Sequence, residues 1–503
     1  LLLDSGKLKS RYKLSIVSQQ PEGHQTSTIQ DPNLSETAMV FTSISQQTRD
    51  DILARAGVAQ KTNFLKRMWW AAVDKEKIVR LVADVQSLVR ELWNLLDPLW
   101  KDDVRDSLIS VSANMLKMNK GFEQLDSIKE ALKALLEGSR STTEKDLKGL
   151  ITTAELKALQ AVLVQDGDRK DSVVEVSKPR RQEILKKLER LSRQKLSSFT
   201  PLKKNDTMGT GVYEGESVFI EWKQLNPAFR SKVLPRAENL AALLSIPKDE
   251  TFQSLTCRGL LEDDQRLGFV YQYPSLSHSP GEPRSLLELF SAKDGIEPPS
   301  LSDRMRLALR IAQVVRNFHQ TGWLHKGLRS ENILFFNTKD VTAAVRSTDF
   351  VLGGFNFARF GAPTEISEQP SADPKHDIYR HPSALGQPAV SFDESMDAYS
   401  LGTILLEIAE WRALQYLLDS VVDVRAESVP LDRIAAVRQH LLSGKGKGGT
   451  SKLRTKMGDV YTSVCVMCLS GKFDDTEGDD LSEGKGQESL VNRAVRQLQS
   501  CRV

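Results

Sequence analysis

The hydrophobic period of this chain changes twice along its length, and that order limits what it can fold into. Up to about Glu137, apolar residues recur at spacings of three and four. Near Met208 shorter strand-like segments begin, and from about Ser302 the helical spacing returns. A stripe of one period cannot serve an element of the other, because a helix repeats every ~3.6 residues and a strand every second one. Helical stripes must pack on one another, so the first part is expected to be a bundle. Strands followed by helices suit an α+β domain of two lobes. The expected fold class is therefore multidomain, an all-α N-terminal bundle followed by a two-lobed α+β domain.

The clearest helix runs from about Asp74 to Leu96. Ile78, Leu81, Val82, Val85, Leu88 and Val89 begin its continuous apolar stripe, and Pro98 ends it. An earlier helical stretch spans about Glu36 to Ala56. A later one runs from Val104 to Leu135, with Gly138 as its C-cap. Ser139 to Asn205 reads as a connector. It holds a short amphipathic helix from Leu147 to Leu163 and a basic helix from Arg180 to Lys195. The basic helix suits either an anionic membrane or partner surface, or a solvated bridge between domains. Glu183 and Glu189 dilute its charge and favour the bridge. The Gly/Lys stretch Ser443 to Lys452 and the acidic stretch Asp474 to Gly484 read as surface insertions. The expected domains are 1–138, 139–205 and 206–503, the last divided into an N-lobe of about 206–280 and a C-lobe of about 281–503.

At 503 residues the chain exceeds what one core organises. A net charge of +3 gives no whole-chain argument for nucleic acid, and none is expected as a partner. Four cysteines are too few for a disulfide scaffold and suit a reducing compartment, so a cytoplasmic location is expected. Cys465 and Cys468 form a Cys-x-x-Cys without two further ligands nearby, and read as one buried helix face. No stretch approaches the ~18 to 20 uninterrupted apolar residues of a membrane span. The chain opens on Leu1-Leu2-Leu3-Asp4 rather than Met, and is expected to be part of a larger protein.

His325-Lys-Gly-Leu-Arg-Ser-Glu-Asn332-Ile-Leu follows a helix, Arg306 to His319, and a Thr-Gly turn. It resembles the catalytic loop of protein kinases, His-Arg-Asp-Leu-Lys-Pro-Glu-Asn-Ile-Leu. In that resemblance His325 is a structural core histidine and Arg329 stands for the loop lysine. Asn332 is kept, and Gly327 replaces the catalytic Asp. Glycine has no carboxylate with which to orient a hydroxyl. Gly354-Phe-Asn356-Phe-Ala-Arg359 resembles the metal-binding Asp-Phe-Gly segment, with Gly354 in the Asp position. Asp349-Phe350 offers the other register, in which Asp349 could hold Mg²⁺. Gly209-Thr-Gly211-Val-Tyr-Glu-Gly215 before Ser217-Val-Phe-Ile-Glu-Trp-Lys223 resembles a glycine-rich phosphate loop leading to the nucleotide lysine. A hairpin turn uses the same residue types. On this resemblance Gly209, Gly211, Gly215, Lys223 and Asn332 are the nucleotide-binding candidates, and Glu238 is the candidate helix partner of Lys223. Asp397, in Asp397-Ala-Tyr-Ser-Leu-Gly402, is expected to hold the catalytic-loop backbone. No catalytic residue and no metal ligand is nominated with both carboxylate positions read as glycine.

Leu1-Leu-Leu-Asp-Ser-Gly-Lys-Leu-Lys-Ser-Arg-Tyr and Lys66-Arg-Met-Trp-Trp70-Ala-Ala-Val-Asp-Lys-Glu-Lys-Ile resemble the fungal HeLo domain, the prion-inhibition and propagation domain of the HET-S type. The match covers about residues 1–140, and the family's N-terminal membrane-inserting helix would precede Leu1. The combined resemblance implies a regulated cell-death or incompatibility protein, in which a kinase-like domain restrains a helical module. It implies protein partners or self-association, and membrane association through the helical module on activation. ATP is the cofactor it implies, mildly supported by Lys223 and Asn332. Two other functions stay open at this point, an active atypical Ser/Thr kinase and a nucleotide-free scaffold.

Overall fold

The computed structural model describes residues 122–137, 144–163, 181–202, 205–263, 265–274, 282–290, 297–336, 341–360, 373–386, 391–424, 429–443, 449–472 and 489–501, with 112, 115 and 116. The chain divides between Arg105 and Asp106, and every described residue belongs to the unit that follows. The helices expected before Val104, and most of the Gly/Lys and acidic stretches, lie outside the described residues.

Two helices open the described part. Helix α1, Phe122–Glu137, packs along α2, Glu144–Leu163. Their shared core contains Leu125, Leu132, Leu147, Leu150, Ile151 and Ala154. Helix α2 has a second apolar face. Leu156 and Leu163 belong to the main core of the domain that follows. This helix of the expected connector therefore packs into that domain.

A six-stranded sheet comes next, in the order β1-β5-β6-β4-β3-β2. Its strands are β1 (Glu189–Leu191), β2 (Leu196–Leu202), β3 (Asn205–Tyr213), β4 (Glu216–Gln224), β5 (Cys257–Asp263) and β6 (Arg266–Gln272). The sheet thus begins at Glu189, earlier than the expected start near Met208. The basic helix expected over Arg180–Lys195 is helical only over 181–187 within the described residues. Burial decides the change. Leu188 and Leu191 enter two different cores, and Glu189–Leu191 pairs in parallel with Gly259–Leu261. A Cβ on Gly259 would sit 2.3 Å from the Glu189 carbonyl oxygen, so only glycine permits this approach.

Strand β4 is buried on both faces. Val218, Ile220 and Trp222 join Tyr213, Leu261 and Val270 on the outer side, while Phe219 joins the main core. By the two-residue period Glu221 and Lys223 share the face of Phe219. Helix α3, Arg230–Leu244, lies between β4 and β5 in sequence and buries Ala237, Leu240, Ala241 and Leu244.

The helical half follows. Ser300 caps helix α4, Leu301–Gln320, by accepting from the Asp303 amide and donating to its carboxylate. Leu307, Ile311, Val314, Val315 and Phe318 form its buried stripe. Strand β7, Ile333–Phe335, pairs antiparallel with β8, Val351–Leu352. Helix α5, Glu394–Glu410, is buried from Met396 to Ala409 and is covered by α6, Leu453–Ser470. The two approach at Gly402, where an added Cβ would sit 3.0 Å from Cys468 Cβ. Cys465 donates to the Gly402 carbonyl, and both cysteines are buried on this face. No group of three or more potential metal ligands occurs among the described residues.

Candidate functional site

The loop between α4 and β7 carries the expected catalytic-loop residues, and α5 fixes its backbone. Asp397, fully buried, accepts from the His325 amide at 2.7 Å and from the Lys326 amide at 2.9 Å. Lys326 adopts a left-handed conformation, φ 61, and these charge-assisted hydrogen bonds offset its strain. His319 Nε2 bonds the same carboxylate at 3.1 Å. Burial works to lower the His319 pKa, but the hydrogen bond and charge of Asp397 raise it overall. His325 spans the loop. Its Nε2 bonds the Gly353 carbonyl at 3.0 Å, and its Nδ1 accepts from the Gly327 amide at 3.2 Å. That pairing defines a neutral ring with the proton on Nε2, in keeping with burial that lowers its pKa to about 4.

Gly327, Asn332 and Gly354 meet in this loop. Asn332 donates to the Gly327 carbonyl at 2.6 Å and is fully buried. A Cβ on Gly354 would sit 2.1 Å from Asn332 Nδ2. Gly354 is left-handed, φ 81, as the turn after β8 requires. Asp349 precedes β8, and its amide bonds back to the Ala344 carbonyl at 2.9 Å. Gly354 is thus the residue that abuts Asn332. The residues here do not fit Mg²⁺. Neither glycine offers an oxygen side chain. Asn332 Oδ1, without a partner among the described residues, is one neutral oxygen for a cation that prefers carboxylates.

Two residues that the sequence reading passed over fill the cleft between the sheet and this loop. Glu221 on β4 accepts from the Gly354 amide at 2.8 Å, the Phe355 amide at 3.1 Å and the Tyr271 hydroxyl at 3.2 Å. Burial raises its pKa to about 7 against those hydrogen bonds. Phe219, fully buried, sits edge-on to Phe336 just past β7, with centroids 5.5 Å apart. The signal was present in the sequence. Val218-Phe-Ile-Glu221 matches Val-Ala-Ile-Lys as well as the frame ending at Lys223 does, with Phe for Ala and Glu for Lys. Lys223 is also buried in the cleft. Its ammonium donates to the Asn356 carbonyl at 2.7 Å and lies 4.9 Å from the Phe357 ring centroid.

The glycine and glutamate candidates fall elsewhere. Gly209 and Gly211 lie inside β3, not in a turn. Added Cβ atoms would meet the Thr200 carbonyl oxygen at 2.3 Å and the Ser198 carbonyl oxygen at 2.7 Å, so they serve the close approach of β2. Gly215 follows Glu214 in the β3–β4 hairpin, both at positive φ, as a two-residue turn requires. The turn between β2 and β3, residues 203 and 204, lies outside the described residues. Glu238 on α3 pairs with Arg190 of β1 rather than with Lys223. Arg329 is buried and donates to Glu331 at 2.8 Å. Beyond the loop, the Tyr379 hydroxyl donates to buried Glu407 of α5 at 2.6 Å and meets Ser330 Oγ at 3.2 Å.

A six-stranded sheet, an Asp397-held loop ending in Asn332 and a helical half behind them define a kinase-like region. Comparison with known proteins supports this. The C-terminal part resembles a serine/threonine-protein kinase-like protein of Arabidopsis thaliana, 29% identical over 161 residues. The match covers 31% of this chain and 41% of that relative, so less than half of the relative is spanned. Residues 1–130 match the HeLo family, described as prion-inhibition and propagation. The expected pairing of a HeLo-type segment with a kinase-like region stands.

Proposed function

We propose that this chain is a switch protein in cell-death or incompatibility signalling, whose kinase-like half works without phosphoryl transfer and controls the HeLo-type helical module. The observation that carries this is the content of the cleft. A carboxylate, Glu221, holds the Gly354–Phe355 turn where a metal-binding Asp would be needed, and Gly327 supplies no base. Phe219 fills the space beside it, and Lys223 is engaged with the Asn356 carbonyl. These contacts favour a nucleotide-free cleft over the ATP that the resemblance implies. Gly354, rather than Asp349, lies against Asn332, which speaks against the active-kinase alternative. The partners are other proteins or further copies of the chain. Among the described residues no helix is long and apolar enough to cross a membrane. In this reading the protein works in the cytoplasm and reaches a membrane only through an activated HeLo module.

The test is a thermal shift with ATP, with and without Mg²⁺, beside a transfer assay. The melting temperature should not move, and Lys223→Ala should respond identically. An ATP-dependent rise that Lys223→Ala abolishes would overturn the nucleotide-free part. In cells, removing the kinase-like half should change toxicity or membrane association, and no change would sink the switch reading.

A further inference from the structure

Helix α3 is gripped by the connector at two adjacent residues. Glu238 pairs with Arg190 of β1. Asn239 accepts from Arg181 at 3.3 Å and donates to the Leu163 carbonyl at the end of α2 at 3.5 Å. Three separate pieces of connector thus converge on one turn of α3. The turn after α3 is held in the same way. The Asp249 amide donates to Thr152 of α2 at 3.4 Å, and a Cβ on Gly149 of α2 would meet Thr251 Oγ1 at 2.8 Å. Strand β1 is itself anchored, since Arg258 of β5 pairs with Glu189.

Helix α2 faces both ways. Leu147, Leu150 and Ile151 pack against α1, while Leu156 and Leu163 enter the main core with Ala237, Leu240 and Leu244 of α3. The first residues of α1 still lie within the HeLo match at 1–130. A continuous packed path therefore runs from the end of the HeLo match, through α2, to α3.

We propose that the connector sets the position of α3, a task that the cleft lysine performs in a nucleotide-binding kinase. Glu238 pairs with Arg190, and Lys223 donates to the Asn356 carbonyl. The control input of the kinase-like half then enters through α2 and β1 rather than through the cleft. This rests on the non-catalytic reading above. The coupling is reciprocal, so loosening the α1–α2 pair loosens α3, and loosening α3 is felt at α2.

Hydrogen exchange on the full chain tests it. Leu125, fully buried between α1 and α2, makes no part of the main core. Leu125→Ala should speed amide exchange in α1, and also about threefold or more in α3 over residues 238–244. Arg190→Glu should speed exchange in α3 and at the C-terminal end of α2 by about two- to five-fold, in keeping with a part-exposed pair. The swap Arg190→Glu with Glu238→Arg should restore wild-type protection in both. Faster exchange confined to α1–α2 in the first variant, or to residues 181–191 in the second, would overturn the proposal. ATP binding by the wild-type chain would instead count against the non-catalytic reading, and the two failures are read in separate assays.

Discussion

Glu221 decides most at the scale of single residues. Burial lifts its pKa from 4.5 to about 7, so between those values the folded chain keeps a proton that the unfolded chain releases. Its contribution is fully present below the unfolded pKa and is lost as pH rises through 7. The whole shift corresponds to about 3 kcal/mol. His325, lowered to about 4, acts in the opposite sense over the acid part of this range, so the difference between wild type and Glu221→Gln isolates the carboxylate. Urea midpoints should show the variant gaining on wild type from pH 5 to pH 8, and parallel pH profiles would contradict the buried-carboxylate account. The two glycines at positions where the kinase resemblance expects acidic residues also differ. Gly354 is left-handed and its Cβ position overlaps Asn332. The nearest atom to a Cβ on Gly327 is the Gly354 carbonyl oxygen, at 3.2 Å. Gly354→Asp should therefore lose at least ~2 kcal/mol more stability than Gly327→Asp in chemical denaturation. Neither variant should gain phosphoryl transfer.

At the scale of elements, the least expected one is β1. Its parallel pairing with β5 depends on the bare Cα of Gly259. Gly259→Val should expel the strand, expose Leu188 and Leu191, and cost ~2 to 4 kcal/mol, read as a drop in melting temperature with new exchange at the β5 edge. Helix α4 was legible in the sequence because its apolar spacing is long and helical, and the Asp397 helix because its residues resemble a contiguous kinase motif. The His325–Asn332 loop was legible because its residues are contiguous. Strand β1 was not, since Glu189–Leu191 sits at the end of a helical-looking pattern and gains its partner from residues seventy positions away. The glycines of β3 misled for a related reason. A glycine needed for close strand approach and one needed for a phosphate turn look alike until the neighbouring strand is known. Glu238 lies on a helix but pairs with Arg190, which reaches it from an element the sequence did not announce.

For the whole molecule, the division into connector and domain at residue 205 has a physical consequence. A chain beginning at 206 keeps every kinase-like motif but lacks α2, β1 and β2. Leu156, Leu163, Leu188 and Leu202 leave the main core, and Leu191 and Leu196 leave the outer face of the sheet. At ~1.5 to 3 kcal/mol for each fully buried leucine, the loss is of order 10 kcal/mol. That equals the entire net stability of an ordinary domain. Strand β3 would also become a sheet edge with unpaired backbone groups, a template for aggregation. Expression of 206–503 should therefore give insoluble or molten protein, whereas 112–503, which keeps both faces of α2, should melt cooperatively. A soluble 206–503 fragment with a sharp melting transition would show that the connector is dispensable to the fold.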